Sequence, residues 1–421
     1  MSRSFLLSVL IYGLLLAGLI TLRGEIITLA TPLILYLLYG FLNIPEKINL
    51  QIERRLSADH VKPNADVTVT LTVTNHGAGI GELLLVDKIP PHLSLRTGSP
   101  RRLLRLKKND SHTFKYTVAG RRGMHIFNEI YITATDPSGL IPQKQLLKAN
   151  GSITILPEVK RLKQVSIRPR RTRAVAGLIP ARVGGTGTDF FGVREYQFGD
   201  SPRMVNWHAS ARHMENLYSN EYQQERAADV GIVLDARTRT NHFHANHSLF
   251  EHAVTAAASL ADVFLLQGNR VGLLVYSSYL AWTLPGYGKI QRERIMQALA
   301  RAETGASTVF AGLEHLSPRM FPSESQIVLV SSLAQDDLDI LIQLRGRGYQ
   351  VMVVSPDPIE FERGLLPFSP PMDSAARIIR MERSLLIRRL ERAGIHIIEW
   401  DVSIPLDQAI SPALTRPRRI L

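Results

Sequence analysis

Two long apolar runs at the start of the chain constrain its fold more than any other feature. The runs Phe5–Leu22 and Ile26–Leu42 contain no charged residue, and only Arg23-Gly24-Glu25 stands between them. Each run approaches the roughly 20 residues that an α-helix needs to cross the hydrocarbon core of a bilayer. We therefore predict a transmembrane helical hairpin over residues 1–46, which makes the lipid bilayer the first partner of a multi-pass protein.

The orientation of this hairpin is predicted from the basic residues that flank it. Arg3 and Lys47 lie at its outer ends, followed by Arg54 and Arg55, whereas the tip carries only Arg23 beside an acid. Basic residues accumulate on the cytoplasmic side of a membrane. We expect both termini and all soluble domains on the cytoplasmic face of the inner (cytoplasmic) membrane. A cleaved signal peptide would explain the first run but not the second, and no small-residue cleavage site separates the two.

The chain as a whole is long and apolar enough for two or three domains. Its 421 residues exceed the roughly 150 of a typical domain. A hydrophobic content of 45% and a charged content of 21% exclude a disordered or fibrous protein. The absence of cysteine excludes disulfides, thiolate metal sites and cysteine nucleophiles. The net charge of +13 suits attraction to anionic lipid headgroups.

Residues 47–157 follow the period-two pattern of β-strands. Val67–Thr74 alternates aliphatic residues with threonine and ends at the turn signal Asn75-His76-Gly77. Further strands are predicted at residues 82–89, 112–118, 129–135 and 152–156. The spacing predicts an all-β immunoglobulin-like sandwich. Two roles stay open for it, a rigid spacer beside the membrane and a partner-binding module.

Residues 158–228 combine a basic linker with a polar, glycine-rich segment. Between residues 160 and 182 there are eight basic residues and no acid, a composition that is usually solvated or lies near phosphate groups. Membrane phospholipid is the expected source of those phosphates. No aromatic residue interleaves with the basic ones, so the stacking platform of a single-strand site is missing and a nucleic-acid partner is not expected.

Residues 229–421 alternate short apolar strands with helices. Strands are predicted at 229–236, 271–276, 327–330, 351–354 and 395–400, and helices at 250–267, 290–302, 336–345 and 375–393. This alternation predicts an α/β doubly wound domain with a mainly parallel sheet. Ligands of such sheets bind at the carboxyl ends of the strands, where the first strand carries Asp235.

The segment before that first strand carries a long, specific signature. Its residues are Gly187, Asp189, Phe190, Arg194, Glu195, Tyr196, Gly199, Asp200, Arg203, Asn206, Trp207, Ser210, Ala211, Arg212, Glu221, Glu225 and Arg226. This signature resembles that of the domain-of-unknown-function 58 family. The resemblance implies a membrane-anchored protein whose α/β part is similar to von Willebrand factor A domains. It also implies a scaffold or adaptor that works with a MoxR-type AAA+ ATPase, and it implies no catalytic residues.

The signature residues also have a physical interpretation of their own. A mixture of acids and arginines suits bidentate ion pairs that lock an irregular segment onto the sheet domain. A binding surface for a partner protein is the alternative.

The similarity to von Willebrand factor A domains invites a test for their magnesium site. There, the loop after the first strand has the pattern Asp-x-Ser-x-Ser, but here it is Asp235-Ala-Arg237-Thr-Arg239. Ser307 keeps a hydroxyl in the third loop, and Ser331-Ser332 stands where an acid is expected. Guanidinium groups repel a cation and cannot coordinate it. Asp235 is instead expected to pair with Arg237, Arg239 or another loop arginine, and Asp336 and Asp337 to favour a helix start.

We therefore predict no metal, no cofactor and no enzymatic activity. The loops of the degenerate site are predicted to bind a partner protein through Asp235, Arg237, Arg239, Ser307 and Ser332. The leading hypothesis is a membrane-anchored scaffold, and the alternative is a magnesium-dependent adhesion receptor that faces outside. His242, His244 and His247 are interpreted as a solvated loop, because no carboxylate completes a zinc site nearby.

Overall fold

The computed structural model describes residues 3–42, 48–135, 142–163, 165, 167, 172–173, 179–212, 216–244, 247–306, 321–367 and 369–415. The chain divides into two compact units, Met1–Leu156 and Pro157–Leu421.

The first unit begins with two apolar helices, α1 (Arg3–Thr21) and α2 (Gly24–Leu42). Both are long and apolar enough to cross a bilayer. They join through Leu22, whose φ of +51° lets the chain reverse. They pack closely at Gly18, where an added Cβ would lie 2.6 Å from the Ile27 side chain. Small residues allow this close approach between helices in lipid. The two predicted apolar helices are therefore present, with most of their large side chains turned outward.

A β-domain follows in the same unit. Its strands are β1 (Leu50–Leu56), β2 (His60–Val61), β3 (Val67–Asn75), β4 (Ile80–Asp87), β5 (Leu93–Gly98), β6 (Arg101–Leu106), β7 (Ser111–Gly120), β8 (Gly123–Thr135) and β9 (Pro142–Ile155). They form one sheet in the order β1-β3-β7-β5 and another in the order β2-β9-β8-β4-β6. Valines and leucines of β3 alternate inward, as the sequence predicts, and pack with residues of the second sheet in one core. Four strands, β1, β2, β5 and β6, were not predicted from the sequence.

The core of the β-domain also contains a buried ion pair. Arg54 donates to Asp87 at 2.5 Å, and both side chains are fully buried. The Tyr116 hydroxyl donates to the same carboxylate, and the Arg54 guanidinium lies 5.0 Å from the centroid of the Phe127 ring. Burial raises the pKa of Asp87, and the contacts with Tyr116 and Arg54 oppose this shift. The pair thus ties β1 to β4 across the two sheets.

The second unit is an α/β domain. Its strands are β10 (Thr172–Arg173), β11 (Ile179–Glu195), β12 (Tyr218–Asp235), β13 (Phe243–His244), β14 (His247–Ser248), β15 (Arg270–Tyr276), β16 (Leu280–Gly286), β17 (Gln326–Val330), β18 (Gln350–Pro356) and β19 (His396–Trp400). Its helices are α3 (Trp207–Arg212), α4 (Leu249–Leu266), α5 (Gly288–Ala300), α6 (Asp337–Gly346), α7 (Pro358–Leu365), α8 (Pro370–Arg392) and α9 (Leu406–Thr415).

The central sheet has the order β16-β15-β12-β17-β18-β19. All neighbours pair in parallel except the edge strand β16, which is antiparallel to β15. Leucines and isoleucines of α6 and α8 pack with Val233, Leu329 and Val353 on one face. Successive strand residues alternate in direction, so Ile232 and Leu234 point to the other face, where α4 contacts the strands. Although α4 is apolar and long enough to span a membrane, 72% of it is buried, so it belongs to this core.

Two predictions for this unit need correction. The signature segment is not irregular throughout: β11 pairs antiparallel with the first half of β12, and β12 then continues into the central sheet. We call residues 179–226 the signature arm. The start of the basic linker is not simply solvated either, since Val165 and Ile167 are buried and the Lys160 amide donates to Ser259 Oγ at 2.9 Å. Eleven of the 23 residues from 160 to 182 lie outside the described residues.

Candidate functional site

Loops that follow the strands of the central sheet meet at its carboxyl edge. Asp235 is the last residue of β12, Ser331 follows β17 directly, and Asp337 begins α6. The loop after β12 is joined to Gly305, whose amide donates to the Ala236 carbonyl at 2.9 Å. A Cβ at position 305 would lie 2.6 Å from Ser277 Oγ, so only glycine fits without a shift of its neighbours.

Arg237 connects two of these loops through its guanidinium group. Nε and Nη2 donate to the Asp235 carboxylate at 2.8 and 2.7 Å. Nη1 and Nη2 donate to the Asp337 carboxylate at 2.9 and 2.8 Å. Bidentate guanidinium–carboxylate pairs of this kind are the strongest side-chain hydrogen bonds in proteins. One arginine therefore holds together two acids that are 102 positions apart in the chain, counted as 337 minus 235.

The acids of this cluster have no unused oxygen. Asp235 Oδ1 also accepts the Arg237 amide at 3.0 Å, and Oδ2 accepts the Ser331 hydroxyl at 2.6 Å. Asp337 Oδ2 accepts the Ala334 amide at 2.9 Å. The side chains of Asp235, Arg237 and Asp337 are 0%, 5% and 1% exposed. We call these three residues the arginine clamp.

The charge of the arginine is secured by its partners. Burial by itself lowers the pKa of the Arg237 guanidinium, but hydrogen bonds and charge interactions with Asp235 and Asp337 outweigh it, so that the pKa is raised. The guanidinium carbon lies 5.9 Å from the centroid of the Tyr276 ring, within the range of a cation–π contact. The arginine thus stays cationic between the two acids.

The loops that carry the clamp also carry an exposed ion pair, which we call the rim pair. Arg239 pairs with Asp336 at 2.7 Å, and their side chains are 42% and 53% exposed. Beneath this pair, Ser332 is buried and its hydroxyl donates to the Thr240 carbonyl. The Asn241 amide group donates to the carbonyls of residues 235 and 237 at 3.1 and 2.9 Å. These buried hydrogen bonds therefore hold the loops that carry the rim pair in place.

A second arginine ties α8 to the same edge. Arg383 Nη1 donates to the Ser332 carbonyl at 2.5 Å, and Nη2 donates to Ser355 Oγ at 2.7 Å. Burial lowers the pKa of Arg383, although the charges of Asp357 and Glu399 oppose the shift. The carboxyl ends of β17 and β18 and the helix that covers them are thus held in one arrangement.

The structure changes the sequence-based account of this site. The pairing of Asp235 with Arg237 is present, but both are buried, as is Ser332, so these three side chains are not surfaces that a partner touches directly. Arg239 is exposed as a contact residue must be, and Ser307 lies outside the described residues. The part played by Asp337 was not predicted from the sequence, where this residue indicated only the start of a helix. The sequence signal that could have identified this role is an acid shortly after β17, at the same edge of the sheet as Asp235.

The donor set does not fit a magnesium ion. Magnesium requires oxygen ligands, and every carboxylate oxygen of Asp235 and Asp337 already accepts a hydrogen bond from Arg237. An ion would have to displace a guanidinium that lies between the two acids. Elsewhere in the described ranges no three histidines or acids are grouped as metal ligands, and His242 pairs with Glu362 at 2.6 Å. These contacts weigh against the magnesium-dependent receptor.

The signature arm has an ion-pair network of its own. Arg194 donates from both terminal nitrogens to Asp200 at 2.8 and 2.7 Å, and its Nε lies 3.6 Å from Glu221. The Asp200 carboxylate also accepts the Gln197 amide at 3.0 Å. The Arg194 hydrogen bonds hold the pKa of Asp200 below its usual value. Gly199, at a φ of +110°, allows the tight turn that brings the acid back to the arginine.

Polar side chains then attach α3 to β12. Asn206 Oδ1 accepts the Ala209 amide at 2.9 Å, and Asn206 Nδ2 donates to Asn220 Oδ1 at 2.7 Å. The hydroxyl of Ser210 accepts the Tyr218 amide at 2.9 Å. An asparagine that caps the first turn satisfies an otherwise unpaired helix amide. Much of the signature therefore maintains the local backbone.

The other signature residues fall into three groups. Trp207 is 69% exposed, and Arg203 and Arg212 are also exposed. The Tyr196 hydroxyl donates to the Asp200 carbonyl at 2.9 Å, and Glu195 accepts Asn216 Nδ2 at 3.2 Å. The side chains of Asp189, Glu225 and Arg226 lie outside the described part of the structure. Phe190 is exposed as well, so these aromatic and arginine side chains are the members left for contacts beyond the chain.

Comparison with known proteins gives one clear relationship. The family model described as "Protein of unknown function DUF58" matches residues 192–393, from the signature arm to the residue after α8. No curated protein matches the chain.

Three solved structures each resemble about a quarter of the chain. They are the CARDB domain of a Pyrococcus furiosus protein in complex with di-metal ions (16% identity, 26% of this chain and 90% of that chain, TM-score 0.20), a FixG-related protein from Vibrio parahaemolyticus (12%, 25% and 94%, 0.18) and a non-cellulosomal cohesin from Archaeoglobus fulgidus (14%, 26% and 91%, 0.18). At these TM-scores the likenesses say nothing further about this chain. Residues 192–393, which include most of the signature arm and most of the α/β domain, therefore belong to the DUF58 family of proteins of unknown function.

Proposed function

We propose that this protein is a membrane-anchored scaffold or adaptor that recognises a partner protein at the carboxyl edge of its central sheet. The arginine clamp carries the proposal. Its arginine donates to all four carboxylate oxygens of Asp235 and Asp337, and the clamp fixes the loops that present the exposed pair Arg239–Asp336. An edge of this kind is preorganised for recognition, because its loops need not be ordered when a partner binds.

The topology supports a von Willebrand factor A-like interpretation of the α/β domain. Its first parallel strand, β12, lies inside the sheet, and the order of strands reverses there. Open sheets with this arrangement place their binding sites outside the carboxyl ends of the strands at the reversal. Asp235 and Arg237 lie at that position.

The remaining parts fit the proposed adaptor. The two apolar helices supply the anchor, and the bias of Arg3 and Lys47 over the hairpin tip supports a cytoplasmic location for the α/β domain. The two-sheet β-domain serves as an immunoglobulin-like spacer or as a second module for partners. The family resemblance of the signature supports a MoxR-type AAA+ ATPase as the partner.

Recognition without bond chemistry is the proposed mechanism. At the carboxyl edge the Ser331 hydroxyl donates to Asp235 at 2.6 Å, but this carboxylate is already paired with Arg237. Both oxygens of that carboxylate already accept hydrogen bonds from Arg237, so the arrangement differs from a nucleophile beside a dedicated general base. The rim pair would instead exchange its internal partners for complementary charges on the adaptor's target, which favours specificity and fast association.

Charge reversal at the rim tests this proposal. The full chain in nanodiscs would be used to capture a purified MoxR-type ATPase, with Arg239→Glu and Asp336→Lys as variants. We expect each variant to lower the capture affinity by roughly tenfold or more, since charge pairs at such interfaces couple by about 1.5 kcal/mol or more. Arg292→Glu is the matched control, because Arg292 also pairs with an acid, Asp262, at the surface of α5. Undiminished capture by both rim variants would refute the proposed binding face.

A further inference from the structure

The long helix α8 has apolar residues on two opposite faces. Its inner face buries Ala376, Ile387 and Leu390 against the domain. Its outer face carries Ile378, Met381 and Leu385, which are 60%, 69% and 56% exposed. At 100° per residue these three side chains form one continuous stripe, which we call the outer stripe.

The outer stripe is unusual for a surface helix. A helix that covers a sheet normally has one apolar face, toward the core, and a polar face toward solvent. An exposed apolar stripe that is bordered by charged residues marks a surface for a partner or a membrane. The part of the chain that the structure describes leaves these three side chains largely uncovered.

The charges beside the outer stripe have one dominant sign. Arg377, Arg388, Arg389 and Arg392 border it and are exposed, whereas Glu382 is the one acid at its side. Arg377 pairs with Asp373 at 2.7 Å, but the other three arginines make no ion pair within the described residues. A stripe of aliphatic side chains beside unpaired arginines is the pattern of a helix that lies in a membrane interface.

We infer that α8 lies on an anionic lipid surface, with Ile378, Met381 and Leu385 at the boundary between headgroups and acyl chains. The arginines contact lipid phosphates at the same depth. The apolar helices α1 and α2 keep this domain close to a bilayer, so even a weak surface contact forms at a high effective concentration. The α/β domain is thereby held in a defined orientation at the membrane.

A protein occupant is less suited to this surface. A specific protein interface buries roughly 800 Å² on each partner. Three aliphatic side chains fall well short of that area, because even a large aromatic side chain buries only about 150–250 Å². A lipid surface needs no such area or shape complementarity, since each arginine adds its own attraction to the anionic headgroups.

A single nitroxide label tests the inference in the full chain. The protein has no cysteine, so Met381→Cys gives one unique attachment site. The labelled protein would be reconstituted in nanodiscs of phosphatidylcholine, with and without phosphatidylglycerol, and its collisions with oxygen and with a water-soluble nickel chelate measured. We expect a several-fold higher ratio of oxygen to nickel collisions in the anionic nanodiscs.

Two controls make the result decisive. Ile290→Cys on α5 is 70% exposed but belongs to a helix that packs on α4, on the other face of the sheet, and its label should stay accessible to nickel. Arg388→Glu with Arg392→Glu in the Met381→Cys chain should return the collision ratio toward the control value, since each lost arginine weakens the attraction about fivefold. Size-exclusion chromatography would check that all variants remain folded.

The inference is overturned if the label at position 381 is as accessible to nickel as the label at position 290 in both lipid mixtures. It is also overturned if the label at position 381 is shielded only when a partner protein is added. Neither outcome bears on capture at the rim, which is a separate measurement.

Discussion

At the scale of single residues, Arg237 is the residue on which the structure of the candidate site depends most. It lies between two buried acids that would otherwise repel each other, and it joins the loop after β12 to the start of α6. Buried ion pairs are weak evidence for stability as a whole, but removal of one member is costly because it leaves an uncompensated charge. The clamp is therefore expected to respond very differently to removal of the arginine alone and to neutralisation of the whole cluster.

Arg237→Met is predicted to lower the free energy of unfolding by about 3–5 kcal/mol, because Asp235 and Asp337 would remain buried without a cation. The triple variant with Asp235→Asn and Asp337→Asn should recover much of this loss. Chemical denaturation of the full chain in detergent, monitored by tryptophan fluorescence, measures both. Equal stability of the single variant and the unmodified protein would show that the clamp is not a structural unit.

At the scale of elements, the signature arm is the part that the sequence described least well. Its glycines and mixed charges lack the alternation that makes β3 recognisable, so β11 was predicted as an irregular segment. The pairing of β11 with β12 depends on cross-strand contacts, which no local pattern contains. The sequence did predict bidentate ion pairs between acids and arginines of the signature. One such pair, between Arg194 and Asp200, holds the turn after β11.

This turn is predicted to loosen at acid pH. Because the pKa of Asp200 is lower in the folded chain than in the unfolded chain, the contribution of the pair to stability is complete above the ordinary aspartate pKa of 3.8 and is lost as the pH falls through the folded value. Hydrogen exchange at the Gln197 amide, corrected for the intrinsic effect of pH, should therefore speed up below about pH 4.

Asp200→Asn provides the control for that experiment. It keeps the shape of the side chain and removes its charge, so the Gln197 amide should exchange faster at neutral pH and show no further acid-dependent step. A pH-dependent step of the same size in the variant would assign the loosening to another acid.

The strands of the α/β domain were predictable, whereas its site was predictable only in part. Continuous apolar runs such as Val351–Val354 identify buried strands locally, and the acid at the end of β12 marked the correct edge of the sheet. The edge strand β16 contains Pro285 and was missed, as were α7 and α9. The contact between Arg237 and Asp337 joins segments far apart in sequence, so it emerges only once the strand order is known.

At the scale of the whole molecule, the protein consists of an apolar hairpin, a two-sheet β-domain and an α/β domain with a closed carboxyl edge. The clamp fixes the edge that we propose as the partner surface, and α8 carries the outer stripe that we propose as the lipid surface. Both proposals depend on the positive charge of arginine. In the clamp, Arg237 takes the place of a metal ion, and beside the outer stripe the exposed arginines of α8 attract anionic lipid.

The most direct test of the central claim is the effect of magnesium on thermal unfolding. Arg237→Ser with Arg239→Ser converts the first loop to Asp-x-Ser-x-Ser and frees the oxygens of Asp235 and Asp337. At a magnesium concentration of about 100 times Kd, we predict that Tm of this variant rises by roughly 5–10 °C. The unmodified protein, and the variant that also carries Asp235→Asn, should not respond. Stabilisation of the unmodified protein by magnesium, or no response of the serine variant, would contradict the view that Arg237 takes the place of an ion.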